Sequence, residues 1–172
     1  MAAKNSPARR VAYAGLLTAL SVVLLLAVRT FPYFNLSALF VLSLLPVALA
    51  AERRWADAGL SFMATSLLGA AVVGFQDVWL FYTVFFGWYG IAREFVWQRL
   101  GRVWVWVIMA VLFNVVLFAL YFFARELLLN VKWPAHLLIP GAEVAFVAFE
   151  VLFGLCREYY MKHIRRFLYP NA

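Results

Sequence analysis

Two carboxylates stand in an apolar stretch near the end of the chain. The segment PGAEVAFVAFEVLFG, residues 140–154, carries Glu143 and Glu150 among Ala, Val, Leu and Phe. Ionisable side chains are costly at membrane depth and usually mark a binding site, an ion path or a buried polar partner. Seven residues are two helical turns, so both side chains lie within about 20° of one helix face. Because they are about 10 Å apart along that helix, we predict a different role for each.

We predict that Glu143 lies in the outer third of its helix and contacts a substrate. The alternative is an interfacial carboxylate that meets Arg29, Arg125 or water. For Glu150, near the middle or inner half, we predict a structural hydrogen bond with Asn114, which sits at similar depth in AVLFNVVLF of the preceding segment. Protonation of Glu150 by desolvation would favour that bond.

Flat side chains crowd two connections that we place on the outer side. RTFPYFN, residues 29–35, and QDVWLFY, residues 76–82, set aromatic rings beside Arg, Asn, Gln and Asp. Such a mixture is typical of a small-molecule pocket, although aromatic belts at membrane interfaces account for the same rings. The predicted substrate-binding residues are Arg29, Tyr33, Asn35, Trp79, Tyr82, Asn114 and Glu143.

Catalysis, metal binding and cofactors are not expected. The sequence contains no Gly-rich phosphate loop ending in Lys-Ser or Lys-Thr, no His-Glu-x-x-His and no Gly-x-Ser-x-Gly. The single cysteine, Cys156, has no second cysteine for a disulfide. We therefore predict a binding protein rather than an enzyme.

The composition indicates that membrane-spanning segments hold these candidate residues in place. Of 172 residues, 67% are hydrophobic and 13% are charged, which is typical of an integral membrane protein. The net charge is +7, and the charged residues lie between hydrophobic runs, which argues against nucleic acid as a partner. We expect the first apolar run to be retained as a membrane anchor, because no small-residue cleavage site precedes a hydrophilic chain.

We predict an all-α polytopic membrane protein, a compact bundle of six transmembrane helices in a single domain over residues 1–172. The second and fourth segments are short for a membrane crossing, so five crossings and one re-entrant segment are an alternative. The predicted segments are 11–28, 36–51, 55–75, 78–92, 103–124 and 135–156, followed by a cytoplasmic helical tail over 157–169.

The distribution of cations predicts the orientation. With the N-terminus inside, only Arg29, Arg125 and Lys132 of the 15 Lys and Arg residues fall on the outer side, and twelve fall on the inner side. This separation follows the positive-inside rule. We predict a bacterial plasma-membrane protein with both termini in the cytoplasm.

Small residues four apart mark the first helix. VAYAGLLTALS contains Ala14 with Thr18 and Gly15 with Ala19, and such pairs allow another helix to approach closely in lipid. With RRVAYAGLLTALSVVLLL, the following FPYFNLSALFVLSLLPVALA and six segments, the chain resembles the substrate-binding S-component of an energy-coupling factor (ECF) transporter. Small six-helix membrane proteins of bacteria without a known role are similar too.

The resemblance implies that the protein binds a vitamin-like molecule at its outer face. It also implies that Ala14, Gly15, Thr18 and Ala19 contact a transmembrane coupling subunit, and through it cytoplasmic ATPases. The family's Ala-x-x-x-Ala stripe is present only in relaxed form, and no substrate-specific signature matches. The alternatives are a scaffolding protein similar to the rod-shape-determining membrane family, and a cation-coupled carrier that uses Glu143 and Glu150 as relay groups.

Overall fold

Apart from short turns, the described part of the chain is helical, and it contains no strand. A computed structural model describes residues 7–30, 35–123 and 135–164. Six helices account for them: α1 Pro7–Thr30, α2 Asn35–Ala51, α3 Trp55–Val73, α4 from Asp77 to Leu100, α5 Arg102–Phe123 and α6 Ala135–Tyr159. A π-helical turn, Tyr160–Ile164, extends α6. The all-α prediction is confirmed for these residues.

Three of these helices are long and apolar enough to cross a membrane. They are Arg10–Thr30 in α1, Trp55–Val73 in α3 and Arg102–Ala119 in α5. The apolar part of α2, Ser37–Ala51, is shorter. The hydrophobic segments of the sequence thus correspond to helices, and three of them are candidate membrane spans.

The chain divides into two compact units, Met1–Arg99 and Leu100–Ala172. In the first unit, α1 and α3 run parallel. At their first turns Arg10 binds Asp57, in their middle Thr18 binds Ser61, and at their last turns Arg29 binds the carbonyl of Val72. The intervening α2 therefore returns in the opposite direction.

Small side chains on α3 allow this close contact. The buried residues of α3 are Ala58, Ser61, Thr65, Gly69 and Val73. They recur every three or four residues and so form one stripe along the helix. A Cβ at Gly69 would come within 3.0 Å of Leu25 Cδ1 on α1, so the helices are as close there as a glycine permits. Packing of this kind stabilises helix pairs in lipid.

A tight turn connects α2 to α3. The N–H of Arg53 donates to the carbonyl of Ala50, and the N–H of Arg54 donates to that of Leu49. Arg53 has a positive φ of 58°, so this is the left-handed C-cap with which many helices end. Asp57 then accepts hydrogen bonds from Arg54 at 2.7 Å and Arg10 at 3.0 Å, which ties α1 to α3.

Helix α4 runs back antiparallel to α3 and has three parts: Asp77–Phe81 is α-helical, Tyr82–Phe86 is π-helical and Gly87–Leu100 is α-helical. The N–H of Gly87 donates to the carbonyl of Tyr82, five residues earlier, as in a π-helix. Near the far end, Gln98 Nε2 donates to the carbonyl of Ala50 at 3.2 Å. The fourth segment is therefore longer than the 78–92 that the sequence predicts.

The second unit contains α5 and α6. The rings of Phe113 and Phe146 stack with centroids 4.5 Å apart, and this contact joins the two helices. On α6, Phe146, Glu150 and Phe153 are buried. Their spacing of four and three residues places them on one helix face.

Candidate functional site

The predicted binding residues belong to both units. Arg29, Trp79 and Tyr82 lie in the first unit, and Asn114 and Glu143 lie in the second. Tyr33 lies outside the described residues, as does the side chain of Asn35. The first unit therefore holds the larger group of described candidates.

Arg29 and Trp79 lie at the same end of the first unit, which we call the Arg29 end. Arg29 Nη1 donates to the carbonyl of Val72 at 3.2 Å. Trp79 Nε1 donates to the carbonyl of Ser66 at 2.7 Å, and its ring meets Phe75 edge-on at 4.9 Å. The indole is thus held against α3, one to two turns before that helix ends.

Hydroxyl groups follow Trp79 along α4 and lie near its indole contact on α3. We define the hydroxyl cluster as Thr65 and Ser66 on α3 together with Tyr82 and Thr83 on α4. Tyr82 is 1% exposed and Thr65 is 1% exposed, and the two side chains are neighbours. Within the described part of the chain, the side-chain oxygens of Ser66 and Thr83 are buried and have no hydrogen-bond partner. The buried Thr65 hydroxyl has only the Tyr82 phenol beside it, in poor hydrogen-bonding geometry.

Other hydroxyl groups in the same unit are satisfied. Thr18 donates to the carbonyl of Ala14 and pairs with Ser61 at 2.9 Å, and Ser21 donates to the carbonyl of Leu17. A buried hydroxyl without a partner costs about 1–3 kcal/mol. The buried hydroxyls of Thr65, Ser66 and Thr83 are therefore the candidate binding groups of this unit.

The π-helical turn positions this cluster. One extra residue per turn shifts Tyr82 and Gly87 onto the same side of α4, facing Phe62 of α3. The ring of Phe62 lies 6.1 Å from that of Tyr82, and a Cβ at Gly87 would come within 2.5 Å of Phe62. Gly87 thus makes room for Phe62, which forms an apolar wall beside the Tyr82 phenol.

Buried charges on α4 form a second polar group that the sequence did not single out. Arg93 is 2% exposed and Glu94 is 1% exposed. Arg93 lies over the ring of Trp97 at 5.7 Å, and Glu94 Oε1 accepts a hydrogen bond from Gln98 Nε2 at 3.1 Å. Because Gln98 also binds the end of α2, this group ties α2 to α4.

One signal in the sequence could have revealed this group. Arg93, Glu94 and Gln98 continue the helical spacing of Tyr89 and Gly90, so they extend the helix rather than end it. The predicted fourth segment ends at residue 92 because Arg93 is the first charged residue after the apolar run, and the helix beyond it was therefore missed.

In the second unit the three polar candidates have different surroundings. Asn114 is exposed, and its Nδ2 donates to the carbonyl of Ala110 in the same helix at 3.0 Å. Glu143 is half-buried, whereas Glu150 is 1% exposed. The amide of Asn114 thus donates within α5, and the bond between Asn114 and Glu150 stays a prediction.

The four candidate contact residues of α1 fall on two sides of that helix. Thr18 is buried against Ser61 of α3, and Ala14 is half-buried. Gly15 and Ala19 are exposed, and a Cβ at Gly15 would meet no atom within 4 Å. Of these four residues, Gly15 and Ala19 are the exposed pair.

The chemistry available to the hydroxyl cluster is hydrogen bonding. Among the described residues, no group of three His, Cys, Asp or Glu is arranged to hold a metal ion. Hydroxyls both donate and accept, and aromatic rings surround them, so a neutral polar molecule fits the cluster better than an ion. No protein-family model, curated protein or solved structure matches the chain.

Proposed function

We propose that this protein is a membrane-embedded binding subunit that holds a small neutral molecule at the hydroxyl cluster and performs no chemistry on it. The observation that carries this proposal is that the buried hydroxyls of Ser66 and Thr83 have no hydrogen-bond partner, and that of Thr65 has only the Tyr82 phenol beside it. A bound molecule with hydroxyl, carbonyl or amide groups would supply those partners. Trp79 and Phe62 would cover its apolar part.

The resemblance to ECF S-components extends this proposal to a transport role. In that role the substrate is vitamin-like, it enters at the Arg29 end, and a coupling subunit with two ATPases provides the energy. The exposed pair Gly15 and Ala19 supports a contact with such a subunit, because small residues allow another helix to approach closely.

We also propose that the protein crosses the bacterial plasma membrane several times with both termini in the cytoplasm. In the first unit, Arg10, Arg53 and Arg54 lie at the end opposite to Arg29. An excess of cations is typical of the cytoplasmic side. The Arg29 end would then face outward.

Purification from native membranes in a mild detergent tests the binding role. We expect the protein to retain a small molecule, which mass spectrometry of the extracted sample identifies, and a coupling subunit to co-purify. The change in Trp fluorescence on titrating the identified molecule then gives its dissociation constant. Thr65→Val should raise that constant about 3- to 10-fold, because one hydrogen bond is lost.

Thr30→Val is the matched control. Thr30 is exposed and donates to the carbonyl of Leu26, so the same substitution there removes a hydroxyl away from the cluster. Its dissociation constant should equal that of the wild type. Equal affinity of the Thr65→Val protein would reject the cluster as the site. Cell-wall machinery in place of a coupling subunit would favour the scaffolding role.

A further inference from the structure

Helix α5 exposes a stripe of side chains with the spacing of a coiled coil. Trp104, Val107, Val111 and Asn114 are separated by three, four and three residues and are all exposed. Val107 and Val111 expose about half of their surface, 50% and 58%. Alternation of three and four is the pattern with which two helices pack side by side at a small crossing angle.

The opposite side of α5 is already used inside the chain. Val105 and Met109 are 0% exposed, and Phe113 stacks on Phe146 of α6. At 100° per residue these side chains point about 180° away from the exposed stripe. The stripe is thus a separate surface, and we call it the Asn114 seam: Trp104, Val107, Val111 and Asn114.

Asn114 gives this surface its polar character. It lies near the middle of the candidate membrane span Arg102–Ala119. Its Nδ2 donates to Ala110, but its Oδ1 and the second hydrogen of Nδ2 remain available. The side chain lines an open groove of about 460 Å³ together with Ala110, Val111, Val115 and Phe118.

We propose that the Asn114 seam binds a second copy of this chain. In hydrocarbon an amide finds no water, so exposed Asn side chains favour association of transmembrane helices. An amide carries a donor and an acceptor and is therefore complementary to an identical amide across a two-fold axis. Two copies with the same membrane orientation place their α5 helices parallel, which brings Asn114 opposite Asn114.

The remaining residues of the seam fit such a pair. The spacings three, four and three place Val111 at a heptad a position, where a β-branched side chain favours two parallel strands, and Ala110 leaves room beside the amide. Asn114 also selects the register, since only one alignment pairs both amides. The proposal is independent of the hydroxyl cluster, which belongs to the first unit.

Disulfide cross-linking in lipid vesicles tests the geometry. The full chain carries Cys156→Ser with Val111→Cys and is reconstituted in phosphatidylcholine and phosphatidylglycerol vesicles under mild oxidation. We expect a covalent dimer, because residues facing each other across the axis approach within disulfide range. Leu67→Cys in the same background is the control, since Leu67 is 70% exposed on α3, and it should give monomer.

Energy transfer between labelled copies in the same vesicles tests the amide. Asn114→Leu should weaken dimerisation about 3- to 30-fold as protein is diluted in lipid, whereas Asn114→Gln should retain it. A monomeric wild type at all dilutions would overturn the proposal. So would Asn114→Leu that dimerises as tightly as the wild type. Dimerisation is measured without ligand. A negative result would therefore overturn the dimer proposal and leave the proposed binding role untouched.

Discussion

Hydroxyl side chains inside the first unit differ in the hydrogen bonds that they make. Thr18 and Ser61 bond to each other across α1 and α3, while Thr65, one turn further along α3, has only the Tyr82 phenol beside it, in poor hydrogen-bonding geometry. In lipid, hydroxyls commonly join helices, and the Thr18–Ser61 pair does so. Thr65 stands in the same stripe but makes no such bond to α1.

These two threonines should respond differently to removal of the hydroxyl. Thr18→Val breaks a buried hydrogen bond and leaves Ser61 without its partner, so we expect a loss of about 1–2 kcal/mol of stability. Thr65→Val removes a hydroxyl in poor hydrogen-bonding geometry beside Tyr82 and should leave the stability of the ligand-free protein nearly unchanged. Thermal unfolding of the ligand-free proteins in one detergent compares them. Equal destabilisation by both changes would contradict the distinction.

The sequence shows which residues of the apolar helices are polar, but it does not show which neighbouring helix each polar side chain faces. The chain predicts that Glu143 and Glu150 share a face of α6, and the burial of Phe146, Glu150 and Phe153 agrees with that periodicity. Which partner each polar group meets depends on helix rotation, which hydropathy does not determine. For that reason the Asn114–Glu150 pair stays a prediction, and the buried hydroxyls of α3 and α4 were not foreseen.

At the scale of elements, α4 is the helix whose regularity is broken. Its π-helical turn, Tyr82–Phe86, follows the α-helical start and precedes the long part that carries Arg93, Glu94 and Gln98. A π-turn amounts to one residue inserted into an α-helix, and it rotates everything after it. The turn therefore sets which side of Gly87–Leu100 faces the other helices.

Deleting one residue from this turn should disrupt the first unit. Deletion of Val84 permits regular α-helical hydrogen bonding but turns Gly87–Leu100 by about 100° relative to α3. Gly87 would then leave Phe62, and Gln98 would leave the carbonyl of Ala50. We expect a large loss of folded protein, measured as the monodisperse fraction in size-exclusion chromatography.

The terminal π-turn, Tyr160–Ile164, provides the control deletion. Met161 lies in the same kind of turn, but the deletion leaves the helices of the first unit unaltered. Its folded yield should stay close to that of the wild type. A normal yield after deletion of Val84 would show that the extra residue does not set the orientation of α4.

Helix positions were largely predictable from the sequence, because long apolar runs require backbone hydrogen bonds within one segment. The starts of α2 and α3 agree with prediction within one residue. The end of α4 does not, since Arg93 and Glu94 are buried inside a helix that continues to Leu100. Nor does composition reveal a π-turn, because YTVFF contains neither Gly nor Pro.

At the scale of the whole molecule, charge is distributed unevenly along the first unit. Parallel α1 and α3 both begin in the group of Arg10, Arg54 and Asp57 and both end beside the contact of Arg29 with Val72. If successive loops lie on alternate sides of a membrane, the sequence places Arg10 and Arg54 on one side and Arg29 on the other. The contacts of the first unit agree with this separation. The positive-inside rule predicts in addition which end of the unit faces the cytoplasm: the end with the greater number of Lys and Arg residues.

Cysteine labelling in intact cells tests that direction. In the Cys156→Ser background, Gln76→Cys lies in the exposed connection between α3 and α4, and Arg53→Cys lies in the exposed turn between α2 and α3. A membrane-impermeant maleimide should label position 76 from outside and position 53 only after the membrane is permeabilised, because α3 separates the two. Labelling of position 53 in intact cells would reverse the orientation and move the proposed entry to the cytoplasmic side. Labelling of both positions from outside would mean that α3 does not cross the membrane, although it is long and apolar enough to do so.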